Sequence, residues 1–389
     1  MEQALDRSRT ETVHGAGTRP VTGAWLPGQP AGRRSWFELP EPLKLESGET
    51  LPDVALAFET WGTLAPDGSN AVLVLHALTG DSHAAGPAGS GHPTPGWWDA
   101  CIGRGRPLDP AHWFIVVPNA LGGCQGSTGP SSTAPDGRAW GSRFPAVTLR
   151  DLASAEAALA DALGISRWAA VIGGSLGGMR ALEWAADHPE RVARLGLLAC
   201  SAVASADQIA FSAAQVHAIT ADPHWHGGDY YDAPAGRGPH RGLGIARRIA
   251  HLTYRSAPEL NGRFGTRPQG DEDPLDGGRY AVESYLDHQA DKLLSRFDAG
   301  SYVTLTRAMS NHDVGRHRGG VRAALHRIQA PTAVAGITSD RLFPLWQQRE
   351  LAEGLPDCRQ FRVIGSAQGH DAFLTETEQV AAFLTDLLG

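Results

Sequence analysis

Residues 171–178 read Val-Ile-Gly-Gly-Ser-Leu-Gly-Gly and contain the pattern G-x-S-x-G around Ser175. The apolar run WAAVIGG (168–174) before the serine predicts a buried strand, and LGGMRALEWAADHP (176–189) after it has the periodicity of a helix. A serine in a tight turn between a strand and a helix is typical of a nucleophile elbow, which lifts the hydroxyl above the edge of a sheet. Glycines at 173 and 177 fit this turn, because a Cβ at either position would collide with the neighbouring strand and helix. A glycine turn that happens to hold a serine is the weaker alternative.

A serine nucleophile needs a base and an acid, and two later turns offer them. Asp340 follows the predicted strand TAVAGI (332–337), and His370 follows the predicted strand FRVIG (361–365). The chain order Ser, Asp, His is that of α/β hydrolases, and both residues would lie at carboxyl ends of parallel strands. We predict that His370 takes the proton from Ser175 and later returns one, while Asp340 orients the imidazole and stabilises its charged form.

The negative charge that develops during acyl transfer needs hydrogen-bond donors. Because Ser175 directly precedes a predicted helix, the N–H group of Leu176 is free for this role. A second donor is expected in HALTGD (76–81), which lies where lipases carry their oxyanion motif. We therefore predict that the backbone N–H groups of Leu78 and Leu176 form the oxyanion hole. The alternative is that HALTGD is an ordinary exit from a strand.

The remaining pattern predicts an α/β-hydrolase fold. Further strands are predicted at WFEL (36–39), VALAFETWG (54–62), AVLVLHAL (71–78), FIVVPN (114–119) and LGLLAC (195–200), and a further helix at DLASAEAALADALG (151–164). Strands that alternate with helices predict a mostly parallel sheet with helices on both faces. Only helical patterns occur over 202–325, which predicts an inserted lid. The expected organisation is a flexible leader (1–36), a core in two parts (37–201 and 326–389) and the helical lid (202–325).

Composition excludes several classes of function. The 389 residues carry 34 Lys and Arg against 42 Asp and Glu, a formal net charge of −8 without a long run of one sign, which argues against nucleic acid as a partner. No run of about 18 apolar residues occurs, and the first residues lack the apolar core of a signal peptide. We therefore expect a cytoplasmic protein with no membrane segment.

Neither the cysteines nor the lid histidines have the spacing of a metal site. The four cysteines are far apart: Cys101, Cys124, Cys200 and Cys358. Cys124 lies in the glycine-rich LGGCQGSTG (121–129), but no strand and helix flank it, which favours a structural loop over a nucleophilic thiol. His217, His224 and His226 match no zinc motif. We expect exposed lid histidines and no metal.

Several segments together resemble the homoserine O-acetyltransferase family of α/β hydrolases, from about residue 45 to the C-terminus. They include HALTGDSH (76–83), GHPTPGWWD (91–99), NALGGCQGSTGPSS (119–132), GGSLGGMRALEWA (173–185), ARRIAHLTYRS (246–256), ITSDRLFP (337–344) and GHDAFL (369–374). The sequence departs from the family at Leu176, where many members have Met, and at Arg180, where Gln is common. Leu176 contributes its backbone N–H, so the predicted oxyanion hole is unaffected. The sequence offers no interpretation of Arg180.

The resemblance implies a two-step transfer in which Ser175 takes an acetyl group from acetyl-CoA and the hydroxyl of L-homoserine then attacks the acyl-enzyme, with His370 as base. Acetyl-CoA is a substrate in this scheme, and no bound cofactor is expected. In the family, an arginine of the lid binds the amino-acid carboxylate and the acid after the catalytic histidine engages the amino group. The matching residues are Arg247 and Asp371. A carboxylate that only holds loops together is an equal alternative for Asp371.

Helix periodicity independently favours Arg247 over Arg248. On a helix, Arg247 shares its face with Leu243, Ala250 and Tyr254, whereas Arg248 neighbours Gly244, His251 and Arg255. An arginine among apolar residues needs an anion, and a carboxylate provides one. We expect Arg247 and Tyr254 to line the substrate site. The alternative is that Arg247 is a surface arginine.

Three other functions share some of these features. A plain esterase has the same triad, a relative in the family uses L-serine or a succinyl donor, and a silent α/β hydrolase serves as a binding protein. The intact triad disfavours the last, and a lid with a charged clamp favours transfer over hydrolysis because it excludes water and orients an acceptor. The family also implies a homodimer through the lid helices, for which SYLDHQADKLLSRF (284–297) is the candidate surface.

Overall fold

The computed structural model describes residues 18–389 and is organised around a mixed β-sheet. The described residues form ten strands: β1 (Ser35–Glu38), β2 (Leu43–Lys44), β3 (Thr50–Leu51), β4 (Ala55–Trp61), β5 (Ala71–Leu75), β6 (Phe114–Pro118), β7 (Ala170–Gly174), β8 (Leu195–Leu198), β9 (Thr332–Ile337) and β10 (Cys358–Ile364). Eight of them form one sheet in the order β1-β4-β6-β5-β7-β8-β9-β10. The strands from β5 to β10 run parallel, while β4 and β1 add an antiparallel edge.

The same residues form eleven α-helices. They are α1 (Leu149–Ala162), α2 (Leu176–Asp187), α3 (Ala206–Thr220), α4 (His240–Tyr254), α5 (Ala257–Arg263), α6 (Ala281–Leu294), α7 (Ala299–Ser310), α8 (Val321–Leu325), α9 (Leu345–Gly354), α10 (Ala372–Thr375) and α11 (Thr377–Leu388). None of these helices is long and apolar enough to cross a membrane.

The sheet is buried on both faces, which explains the continuous apolar strands in the sequence. Successive residues of β5 alternate between two hydrophobic cores: Leu73 and Leu75 join the core under α1 and α2, and Val72 and Val74 join the core under α11. The predicted α/β fold is confirmed, and each predicted strand has a counterpart in the eight-stranded sheet. The hairpin β2–β3 was not predicted, because two residues per strand are too few to show a period.

The boundaries of α1 differ slightly from the predicted helix 151–164. The helix begins at Leu149, because Thr148 is its N-cap and Asp151 completes a capping box from the first turn. The acidic residue therefore lies in the first turn and not at the first position. Gly164 adopts a φ of 72° just after the helix, as a glycine near a helix end can.

Residues 202–325 are all described, and they form six helices, α3 to α8, between β8 and β9. Helix α4 packs against α3 on one side and α6 on the other. The apolar side chains of α6 are used in this packing: Tyr285, Leu293 and Leu294 are buried within the chain. The prediction that the apolar side of α6 offers a surface to a second subunit is therefore wrong.

The end of the predicted leader packs against the rest of the chain. Thr22 is 8% exposed and its hydroxyl donates a hydrogen bond of 2.7 Å to Asp298 Oδ1. Arg34 is 5% exposed and donates to the backbone carbonyl of Gln125 at 3.1 Å and to its side chain at 2.8 Å. The prediction of a flexible leader over 1–36 is thus wrong for residues 18–36. Hydrogen bonds hold this segment, and a search for hydrophobic period does not detect them. Residues 1–17 lie outside the described part of the chain.

Candidate active site

Ser175 lies in a strained turn between β7 and α2, with φ 58° and ψ −126°. A Cβ on Gly173 would meet the backbone of Gly177, and a Cβ on Gly177 would meet the carbonyl oxygen of Leu75 in β5. The turn can therefore form only where both positions lack a side chain. This is the geometry of the nucleophile elbow that the sequence pattern predicts.

The structure brings the three predicted triad residues together at the carboxyl edge of the sheet. His370 Nε2 lies 2.9 Å from Ser175 Oγ, and His370 Nδ1 lies 2.6 Å from Asp340 Oδ2. The other oxygen of Asp340 accepts backbone N–H bonds from Leu342 and Phe343, both at 2.9 Å. The carboxylate is therefore held on both sides, which fixes the orientation of the imidazole.

The surroundings of His370 set its basicity. Burial alone would lower the pKa of His370, but the charge of Asp340 and its hydrogen bond outweigh this effect and raise the pKa above its ordinary value. Phe343 stacks on the ring at 5.2 Å between centroids and restricts its motion further. The imidazole is a stronger base than a free histidine and is aimed at the hydroxyl.

The predicted oxyanion donors belong to two segments next to Ser175. Leu176 is the first residue of α2, where a backbone N–H has no partner within the helix. Leu78 lines the cavity that reaches Ser175, in the loop after β5. Burial and the charge of Arg180 lower the pKa of His76 to about 3, so its ring is neutral and Nε2 accepts the N–H of Ala120 at 3.0 Å. This bond ties the start of the oxyanion loop to the segment after β6.

Arg180, which the sequence leaves without interpretation, is a buried structural residue. Its side chain is fully buried and pairs with Glu156 of α1, with Nε 3.0 Å from Oε1. Trp184 Nε1 donates to the other oxygen of Glu156 at 2.9 Å. Arg180 Nη1 also lies 3.5 Å from the carbonyl of His76. The pair joins α1 and α2 directly beneath the oxyanion loop.

A cavity of about 280 Å³ opens on Ser175 and His370, and its charged lining is mostly basic. We call it the basic cavity, after Arg247, Arg255, Lys292 and Arg296, which line it together with Asp371, the one acid among the described lining residues. Sequence patterns selected only Arg247 and Asp371 from this set. The other three cations come from separate positions on the lid and could have been found only by knowing which helix faces point inward.

Arg247 points into the basic cavity and is poorly satisfied by the protein. Its guanidinium lies 5.5 Å from the ring centroid of Tyr254, and Nη1 is 3.5 Å from Thr79 Oγ1. Its Nε is buried and has no hydrogen-bond partner among the described residues. Arg248 instead pairs with Asp287 of α6 at 2.7 Å near the surface. Arg247 therefore lines the cavity beside Ser175 and Arg248 does not, as the sequence predicts.

Helix periodicity explains only part of the difference between Arg247 and Arg248. Gly244 and His251, on the face of Arg248, are buried as well, because α6 covers this face of α4. The helix is thus covered on two sides, and its exposed residues are Arg241, Ile245 and Leu252. Arg248 lies at the edge of the contact between α4 and α6, where it forms an ion pair with Asp287.

Asp371 faces the same cavity and has a cationic partner. Its Oδ2 lies 3.3 Å from Arg255 Nε, and its side chain is 19% exposed. Burial raises the pKa of Asp371, while the charge of Arg255 acts in the opposite direction. Both predicted roles remain compatible with this geometry, since the carboxylate holds Arg255 and also borders the cavity.

The structure separates the remaining sequence candidates from this site. Cys124 is buried, which raises its thiol pKa, so a reactive thiolate is disfavoured. His217 and His226 are exposed, as predicted, while His224 is half-buried with Nδ1 3.6 Å from Asp222.

Among the described residues, one group of possible metal ligands occurs elsewhere: Glu59, His83 and His92. The two rings stack at 3.8 Å with an interplanar angle of 9°. In-plane lone pairs of stacked rings run side by side and do not converge on one ion. His83 Nδ1 bonds Glu59 Oε2 at 3.0 Å, and His92 Nε2 accepts the N–H of Arg33 at 2.9 Å. We interpret the group as a hydrogen-bonded cluster that anchors the oxyanion loop to β4.

Comparison with known proteins identifies the family of this chain. The model of the alpha/beta hydrolase fold family matches residues 70–377. The chain is 65% identical to homoserine O-acetyltransferase of Thermobifida fusca (strain YX) over 369 residues, which cover 95% of this chain and 97% of that protein. The chain belongs to the homoserine O-acetyltransferase family.

Solved structures support both this family and its relation to hydrolases. The crystal structure of homoserine O-acetyltransferase from Bacillus anthracis superposes with a TM-score of 0.83 at 25% identity, and covers 92% of this chain and 97% of that one. Esterase E22 superposes almost as well, with a TM-score of 0.82 at 27% identity, over 92% of this chain and 99% of that one. Homoserine O-acetyltransferases and an esterase thus share this scaffold, so fold alone does not separate transfer from hydrolysis.

Proposed function

We propose that the protein transfers an acetyl group from acetyl-CoA to the hydroxyl of L-homoserine, a step of methionine biosynthesis. The observation that carries this proposal is a hydrogen-bonded Ser-His-Asp triad that opens into a cavity holding both Arg247 and Asp371. A guanidinium and a carboxylate near one nucleophile complement the carboxylate and ammonium of an α-amino acid. The name of the Thermobifida fusca relative supports the same acceptor.

In the first step, Ser175 attacks the thioester carbonyl. His370 removes the proton of the hydroxyl as the bond from Oγ to the carbonyl carbon forms, and the N–H groups of Leu78 and Leu176 stabilise the oxyanion. His370 then donates this proton to the sulfur as the carbon–sulfur bond breaks, so CoA leaves as the thiol and His370 is neutral again. The acetyl group remains on Ser175. Asp340 stabilises the imidazolium while it carries the proton.

In the second step, the hydroxyl of homoserine attacks the acyl-enzyme. His370, neutral again, takes the proton of this hydroxyl, the bond to the acetyl carbon forms, and the bond to Ser175 Oγ breaks as Oγ regains a proton. Arg247 binds the carboxylate of the acceptor, Asp371 engages its ammonium group, and Tyr254 borders the side chain. The reaction uses groups of this chain throughout and needs no metal or bound cofactor.

Transfer requires that homoserine outcompete water, and the lid supports this. The triad residues are nearly excluded from solvent: Ser175 is 4% and His370 3% exposed. A clamp that holds the acceptor near the acyl carbon raises its effective concentration far above that of a free solute. L-serine, which is one carbon shorter, would place its hydroxyl farther from Ser175 if Arg247 holds its carboxylate.

The deciding experiment measures thiol release from acetyl-CoA with and without L-homoserine. We expect release to depend on homoserine, with O-acetylhomoserine formed in equal amount, and to disappear in Ser175→Ala. Release at the same rate without an acceptor would instead support an esterase, the function that the similarity to esterase E22 favours. A parallel run with L-serine separates the two acceptors.

We also propose that the enzyme is a cytoplasmic homodimer. The four cysteines are all free thiols, as is usual in a reducing compartment. Ile245 and Leu252 are 39% and 44% exposed and lie seven residues apart on the same face of α4. This pair replaces α6 as the candidate contact between subunits. Sedimentation at micromolar concentration should give a dimer, and Leu252→Lys should shift it towards the monomer. A native monomer would contradict the proposal.

A further inference from the structure

A second cavity also reaches Ser175, and it differs from the basic cavity in size and charge. Its volume is about 30 Å³, against about 280 Å³ for the basic cavity. The two share Leu78, Ser175 and Tyr254 in their linings. The nucleophile therefore stands at the junction of a large cationic space and a small one.

No charged side chain is among the described residues that line the small cavity, which we call the neutral cavity. Lid helices α3 and α7 contribute one face each, and Met179 of α2 is on the core side. The residues from the two lid helices are Gln208, Ser212 and Gln215 from α3, and Thr306, Met309 and Ser310 from α7. An unpaired carboxylate buried here would lose its hydration without a counter-charge, which is strongly unfavourable.

Thr306 of α7 lines the neutral cavity and is itself buried. The residue is 2% exposed, and its hydroxyl has no hydrogen-bond partner among the described residues. Buried hydroxyls are normally paired. A volume of about 30 Å³ exceeds the roughly 10–15 Å³ that one water requires, so the cavity has room for a water or a small group.

The two steps of the reaction indicate what each of the two cavities holds. CoA and the amino acid arrive in turn on the same side of the acyl carbon, and the cations of the basic cavity suit the phosphates of one and the carboxylate of the other. The acyl chain stays on Ser175 while these partners exchange. It must therefore extend away from the basic cavity.

We propose that the neutral cavity is the acyl pocket and that Thr306 and Met309 set its length limit. This proposal rests on the proposed function and deepens it by naming the cavity and the residues that limit the length of the acyl group. The pocket accepts an uncharged acyl group of about two or three carbons, since its volume leaves room for little more than a methyl or ethyl group. A succinyl group has four carbons and a carboxylate, and it is excluded by both size and charge.

The first test compares acyl donors on the native enzyme at saturating homoserine. We expect kcat/KM to fall at least about 10-fold from acetyl-CoA to butyryl-CoA and at least about 100-fold to succinyl-CoA, in line with what poorly fitting groups cost in a closed pocket. Equal use of succinyl-CoA and acetyl-CoA would overturn the proposal.

The second test changes the pocket itself. Thr306→Val replaces the unpaired hydroxyl by a methyl group of nearly the same shape, and we expect the propionyl-to-acetyl ratio of kcat/KM to rise several-fold. Met309→Ala lengthens the pocket and should raise the butyryl-to-acetyl ratio about 10-fold. Thr304→Val, on the same helix but outside the cavity lining, is the matched control. Unchanged ratios in Thr306→Val, or an equal change in Thr304→Val, would refute the assignment even if Met309→Ala does not fold.

Hydrolysis of p-nitrophenyl acetate, propionate and butyrate separates this inference from the proposed function. These esters acylate Ser175 without an amino-acid acceptor. If homoserine fails to accelerate CoA release, the proposed acceptor is wrong, yet the same order of acyl groups and the same response of Thr306→Val still support the acyl pocket. An order that ignores acyl length in both assays would overturn it.

Discussion

The core half and the lid half of the active site satisfy their polar groups to different degrees. In the core half, Ser175, His370 and Asp340 form a continuous chain of hydrogen bonds, and two backbone N–H groups hold the carboxylate from behind. In the lid half, the Nε of Arg247 and the hydroxyl of Thr306 are buried without partners among the described residues. Buried unpaired groups are uncommon and are unfavourable without a partner.

This difference separates the generic part of the chemistry from the specific part. A complete triad can attack any ester or thioester that reaches it, whether the acyl group is then passed to water or to another acceptor. The guanidinium of Arg247 gains a charged partner when a carboxylate enters the basic cavity, and Thr306 lines the space proposed for the acyl chain. The comparison predicts that changes in the core half abolish all acyl chemistry, whereas changes in the lid half alter which substrates are used.

The largest effect is expected for Asp340→Asn in the core half. The amide cannot stabilise the imidazolium and favours the wrong tautomer, so kcat should fall about 10⁴-fold for both acetyl-CoA and p-nitrophenyl acetate. Steady-state kinetics with the two donors measures this. A loss confined to one donor would show that the core half is not generic.

The same variant should change the pH profile. In the native enzyme His370 must be neutral to act as base, so acylation should rise with pH through an apparent pKa above 6.5, because Asp340 raises the pKa of His370. Without that charge, burial dominates and lowers the pKa, so the rising limb of the residual activity should move to lower pH. A limb that stays in place would contradict the assigned coupling.

The next largest effect concerns the support of the core half. Arg180→Met leaves Glu156 buried without a counter-charge and should lower the free energy of unfolding by about 3–5 kcal/mol. Arg180→Met with Glu156→Gln removes the unpaired charge, keeps an acceptor for Trp184, and should recover most of the loss. Denaturant unfolding of the three proteins provides the measurement. No difference between the single and double variants would mean that the pair is not the source of stability.

A change in the lid half should affect the acceptor only. Arg247→Met should raise the KM for homoserine about 100-fold, since a charge-assisted bond to a carboxylate is lost, while hydrolysis of p-nitrophenyl acetate changes little. Parallel loss of both activities would place Arg247 in the generic part of the site.

The smallest effect is expected at the neighbouring Arg248. Its ion pair with Asp287 joins side chains that are 37% and 38% exposed, and such pairs contribute at most about 1 kcal/mol. Arg248→Met should therefore leave the KM for homoserine within about twofold of the native value. It is the matched control for Arg247→Met, because both remove one guanidinium from adjacent positions of α4. A large rise in KM would erase the distinction between the two arginines.

The sequence by itself determined the features that depend on neighbours along the chain. Gly173, Ser175 and Gly177 mark the elbow as a local pattern between a strand and a helix, although the carbonyl oxygen that a Cβ on Gly177 would meet belongs to Leu75. Strand ends identified Asp340 and His370, and helix periodicity separated Arg247 from Arg248. The resemblance to the homoserine O-acetyltransferase family supplied the proposed acyl acceptor and acyl donor. The 65% identical relative from Thermobifida fusca carries the name of that family.

Only the tertiary structure decided the features that join distant segments. Ser175 and His370 are 195 positions apart, and their contact of 2.9 Å depends on the order of strands in the sheet. The Arg180–Glu156 pair and the anchored residues 18–36 have no local signature, because a buried charge or an irregular segment is explained only by its partner. The neutral cavity exists only where faces of α3 and α7 meet above Ser175, so the acyl length that it admits is a property of packing.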